Sequence, residues 1–191
     1  MTSWILLPVA LMLLCSSTLC ALACDLTQDL LDDFSLLHQM STTPLVPCWK
    51  DRTNFNFPKE AMEGSQFQRE NGTVIVSEML QQIFDIFSLN STPATWNQTH
   101  LVKLLSGLDQ QMAQLERCIG QDVKRCVRQD VEWEAPILGS ENPRLVLRSY
   151  FQGIDQYLQD KEYRHCAWEI MRAEIRSVFW FMNKLTRKLR N

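Results

Sequence analysis

His165-Cys166-Ala167-Trp168-Glu169-Ile170-Met171-Arg172-Ala173-Glu174-Ile175-Arg176 is the stretch that decides the fold. It opens a helix that the spacing predicts to run to about Leu189. Ala167, Met171, Ile175, Val178, Met182, Leu185 and Leu189 recur in steps of four and three, which places them on one face. Glu169, Arg172, Arg176, Asn183 and Arg187 repeat in the same way on the opposite side. Trp168, Phe179, Trp180 and Phe181 add apolar bulk outside the main stripe, so much of the circumference avoids water. A helix of this kind belongs at the centre of a bundle. Cys166 in its first turn implies a covalent tie to a distant part of the chain.

The N-terminal residues 1–23 carry no charge, run apolar from Trp4 to Leu14 and close on Ala21-Leu22-Ala23. This pattern reads as a secretory signal peptide cleaved before Cys24. The apolar run falls short of the ~20 residues a membrane span needs, and no later stretch is long and apolar enough to insert. The expectation is a secreted product of one domain, residues 24–191, long enough to bury a substantial core. Its net charge of −3 gives no footprint for nucleic acid.

Of the seven cysteines, Cys15 and Cys20 leave with the signal; Cys24, Cys48, Cys118, Cys126 and Cys166 remain. An oxidising compartment favours pairing, and the odd number leaves one over. Spacing alone leaves the pairing open. Asn71-Gly72-Thr73, Asn90-Ser91-Thr92 and Asn97-Gln98-Thr99 are N-glycosylation sequons, so Asn71, Asn90 and Asn97 are candidate acceptors.

The remainder reads as helical. Leu26, Leu30, Phe34 and Leu37 form a first stripe that ends before Ser41. A long connection with Pro44, Pro47 and Pro58 follows to about Gly64, and Cys48 lies within it. A second helix is predicted after Asn71-Gly72-Thr73, with Val76, Leu80, Ile83 and Phe87 facing inward. Thr92-Pro93 reads as a cap with proline at the first helical position, opening a third helix with Leu101, Leu105, Leu108, Met112, Leu115 and Ile119. On that start, Asn97 projects onto nearly the same face as Leu104. Residues 120–136 are charged and aperiodic and read as a loop. Asn142-Pro143 starts a fourth helix through Leu147, Phe151, Ile154 and Leu158. Links that run long, short, long, short permit the parallel pairs of an up-up-down-down cytokine bundle. The expected fold is therefore all-α: a four-helix core plus a fifth helix, stapled by disulfides.

Enzyme chemistry finds no support. The three histidines, His38, His100 and His165, form no H-E-x-x-H. Cys118 and Cys126 are too far apart for a C-x-x-C metal pair, and Gly139-Ser140 lacks the G-x-S-x-G elbow. Asp32 and Asp33 read as a solvated helix face. No metal or cofactor is expected.

Six pieces give the chain a family likeness: CDL at 24–26, CWKDR at 48–52, EMLQQIFDIFS at 78–88, LDQQMAQLERC at 108–118, RSYFQGIDQYLQDKEY at 148–163 and CAWEIMRAEI at 166–175. Over nearly its full mature length it resembles a type I interferon, nearest the alpha and omega group or a divergent member such as limitin. The resemblance implies disulfides Cys24–Cys118 and Cys48–Cys166, with Cys126 as a free thiol. Each bridge would close about a hundred residues, worth on the order of 4 kcal/mol in the chain-entropy model. It further implies a monomeric cytokine that binds both chains of the interferon-alpha/beta receptor and starts Janus-kinase signalling and an antiviral, antiproliferative response. The high-affinity chain would meet Trp49, Lys50, Arg52, Arg172 and Arg176; the second chain would meet Phe84, Asp85 and Arg148. Trp49 stands where alpha members carry leucine, and Arg176-Ser177 replaces their Met-Arg pair. His100, Leu105 and Asp109 also depart from the alpha pattern. Phe84 has the alternative reading of a core residue. The basic end Lys184, Arg187, Lys188 and Arg190 reads as a complement to the helix dipole, with heparin-like binding as the alternative. From the residues alone, a secreted helical carrier of an apolar ligand is the competing function. If the implied pairing holds, alkylation before reduction labels Cys126 alone; a second labelled cysteine, read by peptide mass spectrometry, breaks it.

Overall fold

A computed structural model of the chain describes residues 26–41, 44–62, 65–127 and 143–190, with side chains for all of these except 65–71, 120–127 and 189–190. The signal peptide predicted at 1–23, and Cys24, lie outside the described residues. The helices are α1 (Thr27–Gln39), α2 (Lys59–Met62), α3 (Ser65–Phe87), α4 (Gln98–Val127), α5 (Pro143–Asp160) and α6 (His165–Arg190), with a 3₁₀ turn at Val46–Asp51. No strand occurs among the described residues.

The core is a four-helix bundle in which α1 packs on α4 and α6, and α3 packs on the same two helices. Helix α5 is the fifth, laid against α3 and α6. Contacts at both ends of α1 give its direction. Arg172 reaches the Leu37 carbonyl and Asn183 reaches the Thr27 carbonyl, so α1 and α6 run antiparallel. The Asn97 amide bonds the Met40 carbonyl while Gln111 meets Asp33, so α4 also opposes α1.

Of the stripe predicted for the last helix, Ala167, Met171, Ile175, Val178, Met182 and Leu185 all lie in the core, and the Leu189 side chain lies outside those described. Its opposite side differs. Glu169, Arg172 and Asn183 are buried too. A central helix has neighbours on most sides, so its polar stripe faces other helices and must be satisfied by them.

Three boundaries also differ from the periodicity reading. Helix α3 starts at Ser65 and runs through Asn71-Gly72-Thr73, with Gly72 buried inside it. The roughly 1 kcal/mol propensity cost of a mid-helix glycine is small beside the burial of an apolar stripe. Helix α4 starts at Gln98 rather than at Pro93, and Asn97 is its N-cap. The Asn97 Oδ1 accepts the amides of Thr99 and His100 at 3.0 and 3.2 Å. As a cap, Asn97 is exposed and no longer shares a face with Leu104. At its other end α4 continues to Val127, into part of the stretch read as a loop. The rest of that stretch lies outside the described residues.

Asp33 overturns the solvated-face reading. It is 3% exposed and its Oδ2 accepts from Gln111 Nε2 at 2.6 Å. The close approach of α1 to α4 is permitted by Gly107, where a Cβ would stand 3.0 Å from Asp33 Oδ1. Burial pushes this carboxyl up to about 7, an effect that the Gln111 bond offsets in part and that Asp29 and Asp32 add to. The Gln111 Oε1 is buried without a partner, and a protonated Asp33 could donate to it once the amide turns over.

The pH dependence follows. Asp33 has a folded pKa raised above its ordinary 3.8, so its contribution to stability is fully present below about pH 4. It is lost as pH rises through 7. At about 1.4 kcal/mol per pKa unit the ionised form costs on the order of 4 kcal/mol. Asp33→Asn should raise the thermal midpoint at pH 8 and flatten its decline between pH 4 and 7. Parallel curves for variant and wild type would remove Asp33 from this role.

Candidate functional site

The connection after α1 is held to the bundle at several points. Cys48 is bonded to Cys166, across 118 residues of sequence, in the first turn of α6. Past the 3₁₀ turn, Asp51 accepts Lys161 Nζ at 2.9 Å, and Arg164 stands 3.8 Å away. The Lys161 hydrogen bond holds the Asp51 carboxyl below the usual carboxylate range. The Tyr157 hydroxyl donates to the Asp51 carbonyl at 2.8 Å. Burial raises that phenol to about 12, so it remains a donor at any physiological pH. Further on, Phe55 meets Tyr157 edge-on at 5.1 Å, and Phe57 sits between Tyr150 and Phe181 at 5.0 Å from each.

The receiving surface is the corner between α5 and α6. There α5 ends in a Schellman arrangement, with Tyr163 N–H on the Leu158 carbonyl and Glu162 N–H on that of Gln159. Glu162 and Tyr163 both take φ of 52°, where glycine is usual. The turn directs Lys161 at Asp51 and delivers Cys166 to Cys48.

With its inner side fixed, the loop shows its outer side to solvent. Trp49 is 69% exposed, and the Arg52 guanidinium lies 5.4 Å over its ring. Lys50 is exposed beside them, as are Leu45 and Val46. The structure therefore brings together Trp49, Lys50 and Arg52. Arg176 lies ten residues beyond Cys166 on α6, roughly 15 Å along the axis. Its guanidinium packs on Phe34 at 4.9 Å, and its Nε is buried without a partner.

Arg172 is not on this surface. The resemblance makes it a direct contact, yet it is only 4% exposed. Its Nε and Nη2 donate to Glu169 Oε2 at 3.1 and 2.7 Å, and its Nη1 donates to the Leu37 carbonyl. Glu169 Oε1 takes the Trp96 indole N–H at 2.6 Å. Arg172 thus joins α6 to the end of α1 and to the segment before α4. Its guanidinium is spent on contacts within the bundle.

On the other side of the bundle, Phe84 is partly buried against the core and Asp85 is exposed, accepting Gln81 Nε2 at 2.9 Å. Arg148 is 55% exposed and bridges α5 to α3 through Glu78 at 2.8 Å. Asn90 is exposed in the turn after α3. Asn97 spends its side-chain oxygen on the cap, which leaves the nitrogen that a glycan would modify. The backbone of Asn71 is helical. Cys118 is disulfide-bonded, with a partner outside the described side chains; Cys126 falls outside them as well.

One exposed residue escaped the sequence reading. Trp180 was grouped with apolar bulk, but it is 60% exposed. The signal was its position four residues after Arg176, on the outward side of the helix.

The family model described as interferon alpha/beta domain matches residues 22–189. The chain belongs to the interferon alpha/beta family. Relatives in this type I interferon group include interferon alpha-1 of Equus caballus, 42% identical over 175 residues, covering 90% of this chain and 91% of the relative. Interferon omega-1 of Homo sapiens is 40% identical over 187 residues, with 95% and 91% covered. The fold is also that of zebrafish interferon 2, with a TM-score of 0.67 at 20% identity over 83% of this chain and 96% of that one. The protein is an interferon cytokine, of a family without catalytic activity.

The buried network can be tested directly. Arg172→Met strands the Glu169 carboxylate in the core and should cost about 3–5 kcal/mol of stability by urea unfolding. Adding Glu169→Gln should restore much of the loss. A single variant as stable as wild type would contradict the network's importance.

Proposed function

We propose that this interferon is a secreted, monomeric ligand that joins the two chains of the interferon-alpha/beta receptor. Residues 1–23 are its signal peptide and 24–191 the circulating domain. Joining the chains starts Janus-kinase signalling and an antiviral, antiproliferative programme. No cofactor, nucleic acid or membrane insertion takes part. Among the described residues no helix is long and apolar enough to cross a membrane.

The observation that carries this reading is the disulfide-pinned loop with Trp49 standing outward. Exposing a tryptophan to water is unfavourable unless a partner covers it, and a rigid base lowers the ordering cost of binding. In this assignment Trp49, Lys50, Arg52 and Arg176 meet the high-affinity chain. Trp49 is the apolar anchor, and the guanidiniums supply planar forks for carboxylates and carbonyls. Arg172 is a positioning residue behind them. Phe84, Asp85 and Arg148 meet the second chain, with Glu78 holding Arg148 in place across α3 and α5.

Trp49→Ala should weaken binding to the isolated ectodomain of the high-affinity chain by at least about thirtyfold, the range of a hot spot. Its thermal midpoint should stay where it is, because Trp49 contributes little to the core. Surface plasmon resonance reads the first and calorimetry the second. Unchanged affinity would take the loop out of the site. Absence of a reporter response in receptor-bearing cells would overturn the function itself.

A further inference from the structure

We propose that the outward stripe of α6 is a docking surface for a sulfated polysaccharide of the glycosaminoglycan type. At 100° per residue, Arg176, Trp180, Lys184 and Arg187 fall within a sector of roughly 80°, with Lys188 about 40° beyond it. From Arg176 to Lys188 the stripe extends about 18 Å. Lys59, on α2, lines the same groove as Arg176 and Trp180. Lys59, Lys184, Arg187 and Lys188 are exposed.

This positive charge is local, because the chain as a whole carries −3. No aspartate or glutamate occurs between Arg176 and Lys188. Most of the nearby acids are engaged elsewhere, Glu60 excepted. Glu169 is spent on Arg172 and Trp96, Glu174 accepts the Tyr150 hydroxyl at 2.8 Å, and Asp33 faces Gln111. Asp32 accepts Gln28 at 3.0 Å, and Glu60 is exposed next to Lys59. Arg187 and Lys188 form no salt bridge among the described residues.

A linear polyanion fits this arrangement better than the alternatives. Cations one helical turn apart stand about 6 Å from one another along a line, which suits sulfate groups repeated along a sugar chain. Sulfate oxygens take charge-assisted N–H bonds, which the exposed lysine and arginine side chains of the stripe supply. Trp180 is 60% exposed with the Lys184 ammonium 6.0 Å from its ring, offering a flat face to the C–H side of a pyranose. A membrane surface would call for a broad apolar face beneath the cations. Here Trp180 is the one large apolar side chain exposed along the stripe.

The placement has a consequence for the cytokine. Arg187 lies about 30 Å along α6 from Cys166, so a polysaccharide held at that end leaves the Trp49 loop open. Arg176 is the residue that this stripe shares with the receptor surface proposed above.

The test is binding of the disulfide-intact protein to a heparin dodecasaccharide by calorimetry at about 0.15 M salt. Expected are measurable binding that weakens as salt rises, a roughly tenfold loss in Arg187→Ser/Lys188→Ser, and a smaller loss in Trp180→Ser. Receptor affinity of the double variant should match wild type, which also shows that it folds. The heparin readout is independent of receptor binding, so the two readings can fail separately. No binding by wild type, equal binding to an unsulfated heparosan oligosaccharide, or undiminished binding by the double variant would overturn the proposal. Preference for phosphatidylserine vesicles over heparin would reassign the stripe to a membrane.

Discussion

The buried cluster of Arg172, Glu169, Trp96 and the Leu37 carbonyl is the constraint on which the rest of the structure depends. Two opposite charges with almost no solvent access are costly to bury, and they persist only when their geometry is satisfied. Satisfying it requires the end of α1, the segment ahead of α4 and the first turns of α6 to meet at one place. Apolar contacts alone would tolerate a slip of one helix along another. This cluster penalises such a slip with an unpaired charge in the core. Around it Trp96 packs edge-on to Trp168 at 5.6 Å and against Phe87 at 5.9 Å, so the polar cluster is sealed by rings.

Once α6 is fixed, the loop has a fixed place to attach. The Cys48–Cys166 bond lies one turn before Glu169, and the Asp51–Lys161 pair lies at the corner just ahead of it. The long connection after α1 thus borrows its order from the best-determined part of the core. A chain segment with three prolines and little regular structure becomes a rigid ledge. In the proposed function that rigidity means a partner meeting Trp49 need not order the loop as it binds.

The same helix serves three purposes along its length. Its first turns hold the bundle together and carry the loop, its middle shows Arg176 beside Phe34, and its distal part shows a line of cations with Trp180. Neighbouring helices cover most of its circumference, so whatever remains outside is a narrow strip. Narrow strips favour linear partners and single side-chain anchors over broad flat contacts.

The sequence by itself determined the helical class, the inner faces of α1, α5 and α6, and the short link that turns α5 back into α6. These follow from the period of apolar residues, which is a local property of the chain. The residues also put Trp49, Lys50 and Arg52 on the long connection, whereas the Cys48–Cys166 bridge was implied by the family resemblance and is present in the structure. Other features were decided only by tertiary structure. Asp33 looked like a solvated charge, and Arg172 like part of an outward polar stripe, because periodicity records which side of a helix is polar without recording what that side faces. The starts of α3 and α4 were misplaced because glycine and proline signals are weak against the burial of a whole helix face or a side-chain cap. Trp180 looked like core because hydrophobicity is a property of the residue, whereas exposure is a property of the neighbours. Whether a polar group on a central helix becomes a contact or a clasp depends on which helix lies opposite, and that is set only when the bundle closes.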